Sequence, residues 1–266
     1  MLNTEKRNEK SKNIDKMESI DIVRLMNEEN MNSVRAVEKA LPEISKAVDV
    51  AGDAIAKGNK MVYIGAGTSG RLGIVDAVEC PPTFGVSHDV VQGIIAGGND
   101  RVFRAGEGAE DSYESGLADA KNILKPGDVL VGISAAGGAK YVLAAIEYAK
   151  QIGCTTVGIT CNADTALANS AEIAIVCDTG AEVVTGSTRL KAGNAQKFVL
   201  NMLSTGAMIR TGKVYENLMI NLKASNEKLR GRVIRITQAI LECDEIEAIK
   251  RLEKNDWSIR SAVENQ

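Results

Sequence analysis

The 266-residue sequence predicts an α/β fold, a doubly wound parallel sheet of five strands with helices before it and a small helical tail after it. Three observations carry that expectation. Short apolar runs recur through the middle of the chain, and their unbroken character fits strands buried on both faces. Segments with helical spacing separate successive runs, so the strands need crossover connections and run parallel. Glycine-rich turns follow several of the runs, at the strand ends where an open α/β sheet places its ligands.

The elements follow in order. Residues 1–18 are polar and read as an extended arm. Residues 19–58 read as two or three helices: Ile20, Ile22, Val23, Leu25 and Met26 begin one apolar face, and Leu41, Ile44, Val48 and Ile55 supply another. Pro42 suits the first turn of a helix. Strands are expected at 61–65, 90–96, 128–133, 155–160 and 172–177, with helices near 70–79, 112–123 and 140–151. Pro81-Pro82 is expected to stop the first of those helices. A long amphipathic helix is expected over 187–210, with Leu190, Ala195, Phe198, Val199, Met202 and Leu203 at helical spacing. In the tail, Cys243-Asp244 can start a helix and Trp257 packs a small core. The chain divides into an arm with helices over 1–44, a sheet domain over 45–225 and a helical subdomain over 226–266.

Composition excludes several function classes. Net charge is −3, aromatics make up 3%, and no basic stripe lines any predicted helix, so nucleic acid is not the expected partner. Five cysteines form no C-x-x-C pair, which argues for reduced thiols rather than a disulfide framework or a zinc site. The first residues are too polar for a signal peptide and no apolar run reaches membrane-spanning length, so a cytoplasmic protein away from the membrane is expected. The single histidine, His88, falls in a predicted loop and reads as solvated; proton transfer then falls to carboxylates, Lys, Tyr or Cys.

Five segments carry candidate chemistry. The first strand runs into Gly65-Ala66-Gly67-Thr68-Ser69-Gly70-Arg71, where glycines allow close backbone approach and a helix N-terminus offers free N–H groups to an anion. The spacing also satisfies the dinucleotide pattern, but the next strand ends Ile94-Ile95-Ala96-Gly97-Gly98 without the acidic residue that holds a ribose. Two adjacent hydroxyls suit a terminal phosphate better. Glu79, in DAVECPP, lies at the end of the following helix, a place where a glutamate is ordinarily solvated. An acidic loop, Glu107 to Ser112, leaves the carboxyl edge after the second strand and carries Glu110. After the third strand, Ser134 and Gly137 lie in a second turn that opens a helix, with Lys140 just beyond. Before the long helix, Glu182, Ser187, Thr188 and Lys191 crowd together; Ser187 or Thr188 can serve as its cap.

At these residues the sequence resembles the N-acetylmuramic acid 6-phosphate etherases. The resemblance runs over nearly the whole chain: Thr4-Glu5-Lys6-Arg7-Asn8, Asn27-Glu28-Glu29, GAGTSGRLGIVDAVECPPTFG, IIAGG, EGAEDS, GAEVVTGSTRLKAG, AQK and Gly212-Lys213-Val214-Tyr215. It is shared more distantly with the glucokinase regulatory protein, a sugar-phosphate binder. It implies the SIS fold, a flavodoxin-like sandwich, and cleavage of the D-lactyl ether of N-acetylmuramic acid 6-phosphate to N-acetylglucosamine 6-phosphate and D-lactate. It implies no metal and no organic cofactor. Two glutamates of the family match Glu79 and Glu110, with Glu110 as base at C2 and Glu79 as acid, an assignment open to exchange. Gly67, Thr68, Ser69, Gly70, Ser134, Gly137, Glu182, Ser187 and Lys191 are the candidate substrate-binding set. A homodimer with the site near the subunit interface is also implied.

The match departs in places. The etherases usually carry Ala-Ala-Ser-Gly-Arg-Thr-Pro where this chain has Ser134 to Lys140, so hydroxyls are lost and Ser134 and Lys140 are gained. Asn194 replaces a common threonine, and the tail after residue 230 holds one small helical unit. Two other readings share the fold: a non-catalytic sugar-phosphate-binding regulator, which has no need of paired glutamates, and an aldose–ketose phosphate isomerase, which has no need of ECPP and EGAEDS in this arrangement.

Overall fold

The structure is a computed structural model that describes residues 1–224 and 226–264, so Ser225 and the last two positions of the predicted tail lie outside it. Five strands form one sheet: β1 (Met61–Gly65), β2 (Val91–Ile95), β3 (Val129–Ile133), β4 (Thr155–Thr160) and β5 (Ile173–Val176). Every pairing is parallel and the order is β2-β1-β3-β4-β5. The order reverses beside β1, which places a switch point between β1 and β3. Gly65 pairs with both Ile95 and Ile133, so β1, β2 and β3 end level and the turns that follow them meet at one edge.

Side-chain alternation along β1 explains why the sheet needs cover on both faces. Met61 and Tyr63 point into one core and Val62 and Ile64 into the other, and all four are fully buried. The first core is closed by α1 (Ser19–Lys39), α2 (Leu41–Ala56), α3 (Gly67–Phe84) and α8 (Lys191–Arg210), through Val37, Ile44, Ala77, Val199 and Leu203. The second is closed mainly by α5 (Tyr113–Ile123), α6 (Lys140–Gln151) and α7 (Ala166–Ser170), through Ala120, Val142, Ile146 and Leu167. Each large side chain buried here contributes about 1.5–3 kcal/mol of transfer free energy. A four-residue helix, α4 (Asp100–Phe103), follows β2.

The tail builds its own core. α9 (Glu227–Leu241), α10 (Glu245–Lys254) and α11 (Ile259–Glu264) enclose Val233, Ile236, Leu252 and Ile259, with Trp257 packed at the edge. Asn226 and Asp244 cap α9 and α10 by accepting from the N–H groups of Leu229 and Glu247.

Three expectations are corrected. α3 continues through Pro81 and Pro82 to Phe84 and ends at Gly85, whose φ of 65° forms a left-handed cap. The two prolines remove N–H donors only in the last turn, where the lost bonds are few and Gly85 N–H still reaches Pro81 O at 2.9 Å. The arm over 1–18 is not extended: 3₁₀ turns at Asn3–Glu5, Glu9–Ser11 and Ile14–Lys16 lay it on the body, with Thr4 and Ser11 buried. The apolar start of α1 is only partly packed: Ile20 and Val23 are exposed, while Ile22, Leu25 and Met26 are half-buried.

All five cysteines are free thiols, and burial, with Asp76 nearby, pushes that of Cys80 up to about 12. His88 is exposed. Among the described residues no helix is long and apolar enough to cross a membrane.

Candidate functional site

The turn after β1 is built by glycines in close contact. A Cβ on Gly65 would lie 2.7 Å from Gly70 N, and one on Gly70 would lie 2.7 Å from Gly65 O. α3 begins at once, with Ala66 as its N-cap and no side chain capping it. The first amides of α3 therefore stay open to an anion, and the helix dipole adds attraction there. They face a cavity of about 310 Å³ lined by Gly67, Thr68 and Ser69, by Ser134, Ala135, Ala136 and Ala139 from the turn after β3, and by Glu110. α6 also starts at this cavity without a side-chain cap, so a second helix N-terminus opens on it.

The hydroxyls are already organised. Ser69 Oγ donates to Gln196 Oε1 at 3.0 Å, while the Gln196 Nε2 is buried with no hydrogen-bond partner among the described residues. Ser134 Oγ accepts from the Gly137 N–H at 3.1 Å, which fixes the turn after β3. Gly70 is buried within the first turn.

Glu110 stands on a single 3₁₀ turn, Ala109–Asp111, entered through Gly108 at a φ of 78°. It lines the hydroxyl-bearing cavity and also an adjoining one of about 210 Å³, shared through Ala66 and Gly67 and walled by Arg71, Arg101 and Glu107.

Glu79 is elsewhere. It lies on the exposed side of α3 beside Val75 and Val78, and it lines neither of these cavities. The cause is helix phase: Asp76 and Cys80 take the inward positions, where Asp76 accepts from Tyr63 Oη at 2.8 Å and Asn201 Nδ2 at 2.6 Å. Twelve residues of helix separate Glu79 from Gly67, roughly 18 Å of axial rise. Within one chain the two glutamates therefore do not share a cavity.

Other members of the candidate set have structural partners instead. Lys191 is buried, and its Nζ donates to Glu29 Oε2 and to Ala181 O, each at 2.6 Å. Glu182, fully buried, accepts the N–H groups of Lys191 and Ala192 at 3.1 and 2.9 Å. It, rather than Ser187 or Thr188, caps α8, and it is committed to those amides rather than to a ligand. Burial raises the Glu182 pKa, with the two backbone donors offsetting part of the rise. Gly137 spends its N–H on Ser134 and faces Thr165, with a φ of 70°. Ser187 is half-buried and does not line the cavity; its neighbour Thr188 does. Lys140 is exposed and also outside the lining.

One wall comes from the arm. Glu5 lines the hydroxyl-bearing cavity, because Thr4 is anchored to Asn162 and Asn8 to Glu29. Sequence reasoning singles out neither Glu5 nor Thr188 as a ligand residue; the only signal is their place within the TEKRN and GSTRL strings.

The comparisons with known proteins point in one direction. Residues 43–150 match the family of the glucokinase regulatory protein N-terminal SIS domain, and residues 109–206 match the SIS domain family. The chain is 52% identical over 262 residues to the N-acetylmuramic acid 6-phosphate etherase of Symbiobacterium thermophilum, covering 98% of this chain and 87% of that protein. It is 51% identical over 268 residues to the one of Clostridium beijerinckii, covering 98% and 86%. Among solved structures, a phosphoheptose isomerase from Francisella tularensis superposes with a TM-score of 0.52 at 19% identity, over 74% of this chain and 100% of that one. A protein of E. coli CFT073 superposes with a TM-score of 0.53 at 17% identity, over 74% and 95%. These two show the fold.

Proposed function

Because the chain belongs to the N-acetylmuramic acid 6-phosphate etherase family, we propose that it is a carbon–oxygen lyase that splits the lactyl ether of N-acetylmuramic acid 6-phosphate in the cytoplasm. In this reading the sugar phosphate lies along the cavity edge with its phosphate at the amides of α3 and the hydroxyls of Thr68, Ser69, Ser134 and Thr188. Glu110 takes the C2 proton of the open-chain sugar. The C2–C3 double bond forms as the C3–O bond breaks, and the ether oxygen leaves as D-lactate with a proton from Glu79. Water then adds at C3 and C2 regains a proton, which gives N-acetylglucosamine 6-phosphate. The proton transfers need no group beyond the two glutamates, each worth about 10²–10⁴-fold in such a role.

The observation that carries the reading is the place of Glu110, at the mouth of two helix N-termini and in the cavity lined by the hydroxyls of Thr68, Ser69, Ser134 and Thr188. Glu79 enters through a second subunit. It lies among exposed apolar side chains, Val75 and Val78 on α3, while Phe198 and Met202 on α8 and Val34 and Leu41 nearby are exposed as well. A homodimer that covers this surface removes apolar area from water and carries Glu79 toward the partner's cavity.

The test is release of D-lactate from N-acetylmuramic acid 6-phosphate. Wild type is expected to release it, and Glu110→Gln and Glu79→Gln are each expected to stop it. Mixing the two inactive variants after subunit exchange should restore about a quarter of wild-type activity, since half the dimers are mixed and each holds one intact site. No recovery would place both glutamates in one subunit's site. Tight binding of the substrate without lactate from wild type would favour the regulator reading instead.

A further inference from the structure

The adjoining cavity beside Glu110 differs in chemistry from the hydroxyl-bearing one. Its polar walls include two guanidinium groups, of Arg71 and Arg101, and it shares Glu110 with its neighbour. We infer that this annex is a carboxylate subsite, in which Arg71 and Arg101 hold the lactyl carboxylate of the substrate. The inference rests on the etherase reading above.

Both arginines are aimed by the backbone while keeping donors free. Arg71 spends Nε on Val102 O at 3.0 Å, and Arg101 spends Nη1 on Ala105 O at 3.4 Å. Their other guanidinium nitrogens have no protein partner among the described residues. The loop is shaped around Arg101: a Cβ on Gly97 would lie 2.9 Å from its Cγ, and one on Gly106 would overlap its guanidinium. Glycine at both positions lets the chain wrap this side chain, so its place is set before any ligand arrives.

The substrate carries two anions of different shape. The phosphate is satisfied by amides and hydroxyls in the main cavity. The lactyl carboxylate is planar, and a guanidinium fork matches it with two parallel hydrogen bonds. Position agrees with chemistry. The lactyl group leaves the ring at C3, next to C2, and Glu110 sits at the junction of the two cavities. A sugar with its phosphate among the hydroxyls and its ether arm in the annex presents the C2 proton to that carboxylate. Glu107 also lines the annex, but it is exposed and its repulsion is screened by water.

The experiment compares two ligands that differ only in the lactyl arm. In a Glu110→Gln background, which binds without turnover, calorimetry measures N-acetylmuramic acid 6-phosphate against N-acetylglucosamine 6-phosphate. Arg101→Ala is expected to weaken the first roughly ten- to hundredfold and to leave the second within about twofold. Arg101→Lys should recover part of the loss, and Arg71→Lys should show the same selectivity on a smaller scale, with thermal midpoints confirming that each variant folds. Equal losses for both ligands would assign the arginines to the phosphate or to loop structure, and no loss for either would empty the annex of a role. Both results overturn the inference. Failure of the etherase reading is distinct: wild type would then release no D-lactate at all.

Discussion

Lys191 Nζ donates to Glu29 Oε2 at 2.6 Å, and this bond joins the start of α8 to the middle of α1 across 162 positions of sequence. The two side chains are only 2% and 5% exposed. Asn8 and Lys10 of the arm bond to the same carboxylate, so the pair is the knot that ties arm, first helix and last sheet-packing helix together.

Removing one partner of that pair should be severe. Lys191→Met leaves a buried carboxylate with Lys10, Asn8 and a long 3.4 Å bond from Asn32, and a loss of about 3–5 kcal/mol is expected. Urea denaturation measures it. A double replacement, Lys191→Met with Glu29→Leu, should recover much of the loss, since no lone charge then remains buried. A single variant as stable as wild type would show the pair to be dispensable.

The same knot sets an acid-sensitive window. Burial alone would raise the Glu29 pKa, but hydrogen bonds from Lys191, Lys10 and Asn8 prevail and hold it at about 2, below its ordinary 4.5. The folded value is depressed, so the stabilisation is present above the unfolded pKa of 4.5 and is lost as pH falls toward 2. Its size is about 3 kcal/mol. Glu182 acts in the opposite sense: its folded pKa is raised, so protonation on acidification adds stability. Urea midpoints between pH 4.5 and 2 should fall less steeply in Glu29→Gln than in wild type, whereas Glu182→Gln should lose the gain that wild type shows as pH falls toward 4.5 from above. Equal slopes in all three would contradict both assignments.

Ser69→Ala should raise KM for the sugar phosphate about tenfold, the loss of one charge-assisted hydrogen bond. In the free protein that hydroxyl's one proton goes to Gln196 Oε1 instead, so a stability loss of about 1 kcal/mol should accompany the substitution. Steady-state kinetics and a thermal melt separate the two effects. An unchanged KM would take Ser69 out of contact with the substrate.

Neighbouring glycines in the turn after β3 should behave differently. Gly137 has a φ of 70° and a Cβ there would strike Thr165, so Gly137→Ala is expected to destabilise by about 1–3 kcal/mol. A Cβ on Gly138 meets nothing within 4 Å, and Gly138→Ala should stay within about 0.5 kcal/mol of wild type. Chemical denaturation of the pair decides it; equal effects would discount the Thr165 clash.

The sheet is legible in the sequence because its strands are buried on both faces. The runs at Met61–Gly65 and Thr155–Thr160 carry no charged residue, and the threonines of the second are β-branched and suit a strand; the structure places both as strands at those bounds. The first cavity's turn is legible as well, since three glycines around two hydroxyls leave few other uses. The rest escapes for identifiable reasons. Lys191 and Glu182 look like ligand residues because sequence does not separate a polar group that meets substrate from one that closes a core. The separation of Glu79 from Glu110 within one chain is not legible because a motif string does not reveal helix phase, and Asp76 and Cys80 hold the inward side. Glu5 goes unassigned because short 3₁₀ turns leave no periodic signature.

The arm adds a constraint of timing. Asn3 bonds to Asp178 across 175 positions, and Thr4 to Asn162 across 158. During synthesis on the ribosome these first residues emerge long before their partners exist, at roughly 5–20 residues per second. The wall that Glu5 provides is therefore fitted after most of the sheet beneath it, and a nascent chain halted before residue 162 would carry β1 to β4 with that side of the cavity still open.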